Sequence, residues 1–387
     1  MRAFLLLFFT LGAFAQTDAI RSLEGALADA TDPGAIMMQL AGHHAGQGNV
    51  EAGLKWLAKA VDLRQGFRPA APPFAPLREH PGYAALARRI AKDNPPIERG
   101  RIVSTAPLRE IITEGLAADP GSGSLFVGSM NRHSIYRVAR DGKWSEFVRS
   151  GQDGLGQPLG MAVAHNSLYV CNDSDTERSV LQFALESGRL LHRWTLPGGV
   201  EGHFLNDLAV AADGGVYVTD SRAGQIYYGA KGAAELGTLD LGRRFLGANG
   251  IALAPEGRMY VACFPDGIVL IDLERKAVRP LDRPASLTLA AIDGLYYHGD
   301  RLIGIQNYTV IDRVVSWKLN ASGDAVLSED ILARGGKRLE DPTTGAFLGG
   351  KFYFIANSGI PYWKEGKVTK PDALRPTAII ELPIAAR

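Results

Sequence analysis

This chain of 387 residues has little excess charge of either sign. Its 42 Lys and Arg residues are balanced by 41 Asp and Glu residues, and the basic residues form no run or stripe. Nucleic-acid binding depends on clustered cations that release counterions from the phosphate backbone. The charge balance therefore predicts that nucleic acid is not a partner.

Signatures of several well-known enzyme classes are also missing. The sequence contains no phosphate-binding Gly-Lys-Ser/Thr loop, no His-Glu-x-x-His motif and no Gly-x-Ser-x-Gly nucleophile elbow. The glycines between Gly151 and Gly160 do not have the spacing of a dinucleotide-binding turn. The sequence gives these mechanisms no support.

Long apolar runs are confined to the N-terminus. Residues 1–15 combine an early cation, Arg2, with an apolar run from Ala3 to Leu11 and the small-residue pattern Ala13-Phe14-Ala15. This combination is typical of a cleaved secretory signal peptide and is too short to cross a bilayer. Because no later run reaches membrane length, we expect an exported chain, periplasmic or secreted, without a membrane span.

Residues 17–94 carry a helical pattern. Small and apolar residues recur at three- and four-residue intervals from Met38 to Val61, across a turn at Gly48 and Asn49. The pattern resembles a tetratricopeptide-type helical hairpin, which cannot bury both of its faces alone. We expect flanking helices or the following domain to cover it, and the region is a candidate for binding a protein partner.

From Arg101 to the end, one short pattern recurs six times. A polar or turn residue precedes an apolar strand, a Gly/Asp turn and a second strand rich in aromatic and β-branched residues. Successive leading residues are 43 to 50 positions apart, and they are Glu114, Leu159, Asn206, Asn249, Asp293 and Thr343. This spacing matches one four-stranded blade, so residues 101–387 are predicted to form a six-bladed β-propeller in a mainly β protein.

The ends of the propeller region carry two further predictions. The chain stops soon after the third strand of the last blade, so a strand between Arg101 and Ile112 is expected to complete that blade and close the ring. A long insertion, roughly Gly359 to Pro376, is expected to overhang the binding face.

The two cysteines, Cys171 and Cys263, end strands of the second and fourth repeats. These repeats are not neighbours, so a disulfide would have to cross the centre of the ring. We expect two buried free thiols.

Four of the leading residues offer oxygen atoms to a metal: Glu114, Asn206, Asn249 and Asp293. Equivalent positions of successive blades lie at one height around a central axis, so the four side chains are expected to converge. Two carboxylates in a narrow funnel would repel each other without a cation. Hard oxygen donors favour Ca²⁺ first, then Mg²⁺ or Mn²⁺, and Zn²⁺ less strongly. Taken singly, Asn and Asp before glycine are also common turn formers.

These residues carry a family resemblance. The pairs that begin the blades resemble those of the calcium-dependent six-bladed propellers of the senescence-marker-protein and gluconolactonase (regucalcin-like) family, with paraoxonases as relatives: Glu114-Gly115, Asn206-Asp207, Asn249-Gly250 and Asp293-Gly294. The resemblance begins near Arg101 and excludes the helical region. It implies one catalytic divalent cation that polarises a lactone or ester carbonyl.

The resemblance also suggests roles for neighbouring residues. Asp293 is the leading candidate to activate water, His203 is a second candidate base, and Asp207 is expected to orient the adjacent Asn206. Sugar lactonases of the family tend to carry Arg where this chain has Phe204. In paraoxonases an acidic neighbour of the first Glu helps to hold a second calcium, but here that neighbour is Gly115, so a single ion is expected.

Second strands run antiparallel to the first strands and end on the same face. Their ends, together with Phe204, are expected to supply a substrate rim: Met130, Asn131, Asn172, Asp173, Asp220, Ser221, Phe264, Asn307 and Asn357. Capping of strands and turns is an alternative role for many of these Asn and Asp residues.

The favoured hypothesis is an exported, metal-dependent hydrolase of small lactones or related esters. One alternative is a propeller that binds a ligand or protein and keeps the metal for structure. Others are a strictosidine-synthase-like propeller, which lacks this ligand set, and a helical docking module with a passive propeller.

Overall fold

The computed structural model describes residues 13–30, 32–68, 72–264 and 266–384. The predicted signal peptide falls mainly on residues 1–12, which lie outside the described residues. Within the described ranges, no helix combines the length and the apolar character needed to cross a membrane.

The N-terminal region is helical, as predicted. Its helices are α1 Ala13–Ala26, α2 Pro33–Gly46, α3 Val50–Asp62 and α4 Pro81–Asp93. Asp32 caps α2 by accepting a hydrogen bond from the Ala35 amide at 3.4 Å, and Pro33 occupies the first turn. Helices α2 and α3 form the predicted hairpin, whose likeness to a tetratricopeptide repeat stays a prediction.

The remaining chain is built from short strands. In order they are β1 Ile97–Glu98, β2 Arg101–Thr105, β3 Thr113–Asp119, β4 Ser124–Ser129, β5 Ser134–Val138, β6 Trp144–Val148, β7 Gln157–Ala164, β8 Ser167–Asp173, β9 Arg178–Ala184, β10 Leu190–Thr195, β11 Leu205–Val210, β12 Val216–Asp220, β13 Gln225–Gly229, β14 Gly237–Thr238, β15 Ile251–Ala254, β16 Arg258–Cys263, β17 Gly267–Asp272, β18 Ala277–Pro280, β19 Ile292–His298, β20 Arg301–Gln306, β21 Arg313–Leu319, β22 Val326–Arg334, β23 Gly345–Leu348, β24 Lys351–Ile355, β25 Trp363–Lys364, β26 Lys367–Val368 and β27 Ala378–Pro383.

These strands confirm the six-bladed propeller. Blades one to four are β3 to β6, β7 to β10, β11 to β14 and β15 to β18, each in sequential order. Blade five is β19 to β22, with β1 added at its outer edge. Blade six has the order β23, β24, β27, β2, so a strand from the start of the propeller region completes the last blade, as predicted.

Apolar side chains fill the space between successive blades. Phe126 of blade one packs in the same cluster as Leu168 of blade two, and Tyr260 of blade four packs in the same cluster as Leu302 of blade five. Cys171 and Cys263 are buried free thiols, as predicted, and burial raises the pKa of both.

The predicted insertion is folded against the ring. It contains a 3₁₀ turn at Ile360–Tyr362, the hairpin β25–β26 and a second 3₁₀ turn at Pro371–Ala373. Glu340 anchors it, because Tyr362 donates to Oε1 at 2.6 Å and Arg375 donates to Oε2 at 3.0 Å. The insertion therefore forms a fixed part of the cavity wall described next.

Candidate functional site

A cavity of about 130 Å³ lies at the centre of the ring. All six blades, the insertion and helix α2 contribute to its wall. The described lining residues are Ala35, Gln39, Glu114, Met130, Leu159, Phe204, Asn206, Ser221, Gly247, Asn249, Ala262, Cys263, Phe264, Ala291, Ile292, Asp293, Asn307, Tyr308, Thr309, Asp341, Ile360 and Trp363. All four residues of the predicted metal set are among them.

Local backbone irregularity positions three of these four residues. The register between first and second strands shifts at Glu114 in blade one, at Asn206 in blade three and at Asp293 in blade five. Such bulges redirect side chains and often occur beside active sites. Blade four reaches the cavity with Asn249, which lies two residues before its first strand.

Asp293 is held between two amides. Asn249 donates through Nδ2 to Oδ1 of Asp293 at 3.0 Å, and Asn307 donates through Nδ2 to Oδ2 at 2.7 Å. Asn206 donates through Nδ2 to Ser221 Oγ at 2.8 Å. Since Asn206 and Asn249 use their N–H groups within the protein, their Oδ1 atoms are left to act as acceptors or ligands.

The charge of the cavity wall is negative. Glu114, Asp293 and Asp341 line it, whereas none of its described lining residues is Lys, Arg or His. Carboxylates gathered in a partly desolvated space are costly without a positive partner. The wall therefore favours a bound cation.

Asp341 was not predicted from the sequence. It lies two residues before the leading Thr343 of blade six and has a left-handed backbone, with φ of 58°. Ser358 donates to its Oδ2 at 3.0 Å. The signal in the sequence was an acidic residue immediately before a blade whose leading residue is not acidic.

Asp207 lies behind the wall rather than on it. Burial raises its pKa to about 7, backbone N–H groups of Leu208 and Ile251 oppose that rise, and Asp293 adds to it. Burial likewise raises the pKa of Tyr296, with further contributions from Asp207, Asp293 and Glu114. Asp207, Asp293 and Glu114 therefore all lie close enough to Tyr296 to raise its pKa.

The candidate metal set consists of oxygen donors alone. Within the described residues, no group of three or more His, Cys, Asp or Glu side chains is arranged to hold a metal ion. The candidate set instead joins the carboxylates of Glu114 and Asp293 with the amide oxygens of Asn206 and Asn249. These hard oxygen donors fit Ca²⁺, and the absence of thiolate or imidazole makes them a poorer fit for Zn²⁺.

The predicted rim divides into two groups. Met130, Phe204, Ser221, Phe264 and Asn307 line the cavity. The other group uses its polar atoms to brace strand ends and loops, and its members are Asn131, Asn172, Asp173, Asp220 and Asn357.

Asn172 and Asp173 illustrate the bracing role. Asn172 is fully buried and accepts a hydrogen bond from the Gly156 amide at 2.7 Å, while Asp173 pairs with Arg178 at 2.8 Å. Buried strand ends leave backbone groups that need partners, and short polar side chains supply them.

His203 faces Asp220 and the third strand of its own blade. Its Nδ1 lies 2.7 Å from Asp220 Oδ2 and 3.4 Å from the Tyr227 hydroxyl. Asp220 also accepts from the Phe204 amide at 3.0 Å. Of the two predicted bases, Asp293 lines the cavity, whereas His203 is not among its described lining residues, and its role as a base stays a prediction.

Apolar groups supply most of the remaining wall, including Met130, Leu159, Phe204, Phe264 and Trp363. Two further lining residues, Ala291 and Tyr308, have left-handed backbones, with φ of 56° and 61°. Such conformations cost energy for residues with a Cβ and cluster at functional sites. A mostly apolar cavity with a few convergent polar groups is typical of a small-molecule site.

No protein-family model and no curated protein sequence matches the chain. Among solved structures, it is similar to a gluconolactonase from Xanthomonas campestris, with 14% identity and a TM-score of 0.50 over 75% of this chain and 100% of that one. It is similar to the calcium-binding protein regucalcin from Agrobacterium tumefaciens, with 15% identity and a TM-score of 0.51 over 74% and 97% of the two chains.

A putative oxidoreductase (glucose dehydrogenase) from Thermus thermophilus shows the same likeness, with 16% identity and a TM-score of 0.51 over 73% of this chain and 99% of that one. Proteins with different named activities thus share this architecture, so the likeness concerns the fold. The chain has the six-bladed β-propeller fold of gluconolactonase and regucalcin structures, which confirms the predicted resemblance at the level of the fold.

Proposed function

We propose that this protein is a divalent-metal-dependent hydrolase of lactones or related esters that acts after export. The observation that carries the proposal is the central cavity, where three carboxylates converge with the amides of Asn206 and Asn249 and the described wall has no basic side chain. The names of the gluconolactonase and regucalcin structures support the substrate class and the metal. The N-terminal pattern of residues 1–15 supports export.

Glu114, Asn206, Asn249 and Asp293 would hold one cation, with Ca²⁺ the first choice and Mg²⁺, Mn²⁺ or Zn²⁺ as alternatives. When bound, such a cation supplies Lewis acidity that polarises a carbonyl and stabilises the developing oxyanion.

Asp293 accepts the proton from the attacking water. Its two carboxylate oxygens are fixed by Asn249 and Asn307, so the carboxylate is oriented before the substrate binds. Phe204, Phe264 and Trp363 line the same cavity, and their apolar surface would limit bulk water and strengthen electrostatic interactions there.

The wall favours a compact, mostly apolar substrate. Phe204 lies in the cavity, where a sugar lactonase of the resembled family tends to carry Arg. An aromatic wall gives hydroxyl groups few partners and gives an alkyl or aryl body a large contact surface.

The test is hydrolysis of a panel of alkyl, aryl and sugar lactones and aryl esters by wild type, Asn249→Ala and Asn320→Ala. The control residue Asn320 only braces the turn between β21 and β22. We expect turnover to disappear after chelation and to return with one divalent ion. Asn249→Ala should lower kcat/KM on the order of 100-fold, with little change in Asn320→Ala.

Two results would contradict the proposal. Turnover that survives chelation would exclude a role for a metal. Equal activity of Asn249→Ala and Asn320→Ala would show that hydrolysis does not depend on the cavity. A folded wild type that binds an ion yet hydrolyses nothing would favour the alternative, a ligand- or protein-binding propeller with a structural metal.

A further inference from the structure

Helix α2 belongs to the cavity as well as to the helical region. Ala35 and Gln39 are four residues apart, so they share one face of the helix, and both line the cavity. We propose that α2 is a wall of the substrate site and that Gln39 is a specificity-determining residue, hydrogen bonding to a polar group of the substrate away from the reacting carbonyl. This inference rests on the proposed hydrolase function.

The amide of Gln39 has unused hydrogen-bonding capacity. Gln39 is partly buried, and its side chain has no hydrogen-bond partner among the residues that the structure describes. A side-chain amide offers two N–H donors and an acceptor oxygen, so Gln39 can either donate to or accept from a bound molecule. A polar group on the substrate could therefore form a hydrogen bond with this amide on the cavity wall.

The N-terminus of α2 is anchored to the propeller by Asp32, which is only 1% exposed. Its Oδ2 accepts from Thr288 Oγ1 at 2.7 Å and from the Leu289 amide at 3.1 Å. Its Oδ1 lies 3.4 Å from a guanidinium nitrogen of Arg283, whose side chain is only 7% exposed. A carboxylate with these partners fixes where α2 sits above the ring.

A close approach beside Asp32 reinforces this anchor. Gly34 has no room for a larger residue, because a Cβ there would lie 2.1 Å from Gln65 Oε1 and 2.8 Å from the Phe67 ring. Gln65 donates to the carbonyl oxygens of Ala285 and Leu287 at 2.9 and 3.0 Å, and Phe67 forms a β-bridge with Val310.

The polar contacts are made to residues 283–289, just before blade five, and Val310 lies between β20 and β21 of the same blade, which also carries Asp293. The helical region therefore holds Gln39 in a fixed position relative to the reacting groups, as a specificity contact requires. The inferred substrate has an apolar body, a lactone or ester carbonyl, and one further hydroxyl or carbonyl group that Gln39 binds.

The test uses two lactones with the same ring and the same alkyl chain, one of which carries a hydroxyl group on the chain. Wild type is compared with Gln39→Leu, which removes the amide at similar volume. Gln47→Leu is the matched control, because Gln47 caps the far end of α2 and contacts exposed Asn49.

For the hydroxylated lactone we expect Gln39→Leu to raise KM about tenfold with kcat changed less than about twofold. KM for the plain lactone should stay the same or fall. Equal KM values for the hydroxylated lactone in wild type and Gln39→Leu would overturn the inference.

Binding of the two corresponding lactams by calorimetry separates this inference from the hydrolase proposal, since lactams need no turnover. If the protein hydrolyses nothing but Gln39→Leu weakens only the hydroxylated lactam about tenfold, the cavity and Gln39 assignments stand and the hydrolase proposal fails. If folded wild type binds neither lactam, or if Gln39→Leu and Gln47→Leu affect both lactams alike, the inference fails.

Discussion

At the scale of single residues, glycine next to a leading residue sets how closely blades approach at the axis. A Cβ at Gly115 would lie 2.1 Å from the Leu159 carbonyl oxygen of the next blade. At Gly250 it would lie 2.4 Å from the Leu295 amide nitrogen. Because these neighbours are backbone atoms, they cannot rotate away.

Gly250→Ala is therefore expected to lower the free energy of unfolding by about 1–3 kcal/mol through overpacking. Gly237→Ala is the matched control, since the nearest atom to a Cβ there is the Tyr228 carbonyl oxygen at 3.8 Å. Its effect should stay within about 0.5 kcal/mol. Urea denaturation monitored by tryptophan fluorescence measures both, and similar losses in the two variants would refute the packing argument.

Leading residues could be predicted from the sequence, whereas several of their neighbours could not. Glu114, Asn206 and Asp293 recur at a fixed position of a repeat, and the repeat places them on one axis. Asp341 and Gln39 belong to no repeat, so only the folded chain brings them to the cavity. His203 lies close to Asn206 along the chain, but its orientation follows from its contacts with Asp220 and Tyr227.

At the scale of elements, the pairing of β2 with β27 closes the ring through an ion-pair network. Glu381 on β27 accepts from Lys351 at 2.8 Å, Tyr353 at 2.7 Å and Arg101 at 3.1 Å. Burial alone would raise the pKa of Glu381, but these three partners lower it from 4.5 to about 2.

Because the pKa of Glu381 is lowered, the contribution of the β2–β27 pairing to the free energy of unfolding depends on pH. A carboxyl group whose pKa is lower in the folded state stabilises the fold above its unfolded pKa, and that contribution is lost as pH falls through the folded pKa. We expect Glu381→Gln to cost about 1–2 kcal/mol at pH 7, and its difference from wild type to shrink between pH 4.5 and about pH 2.

Chemical denaturation of wild type and Glu381→Gln across this pH range measures this difference. Glu186→Gln is the control, because Glu186 is exposed. A cost of Glu381→Gln that is the same at pH 7 and near pH 2 would rule out an ionised Glu381 as its source.

The strand that closes the ring was predictable because the last blade ended one strand short. The length of the insertion was also predictable, but its anchoring was not. Nothing in the local sequence of Glu340 pairs it with Tyr362 and Arg375, which lie 22 and 35 positions away.

At the scale of the whole molecule, the helical region and the propeller are joined by buried polar contacts. Asp32 and Arg283 form an ion pair with exposures of 1% and 7%. Removing one partner of a buried pair leaves the other charge uncompensated, at a cost of about 3–5 kcal/mol. We expect Asp32→Ala to show a loss of this size and faster hydrogen exchange in α2.

Asp62→Ala provides the comparison, because its pair with Arg89 is exposed and such pairs contribute about 1 kcal/mol or less. Equal effects of the two substitutions on unfolding would mean that the helical region is only loosely docked. The sequence could not reveal this interface, since Asp32 and Thr288 are 256 positions apart and neither belongs to a recurring pattern.

The most direct test of the central claim is calorimetric titration of the chelated protein with Ca²⁺, comparing wild type, Asp293→Asn and Asp300→Asn, whose carboxylate is 57% exposed on a turn. The account predicts one ion per chain for wild type and Asp300→Asn, and binding at least about tenfold weaker for Asp293→Asn. A folded wild type that binds no divalent ion, or an Asp293→Asn variant that binds it as tightly as wild type, would contradict the metal site at the centre of the propeller.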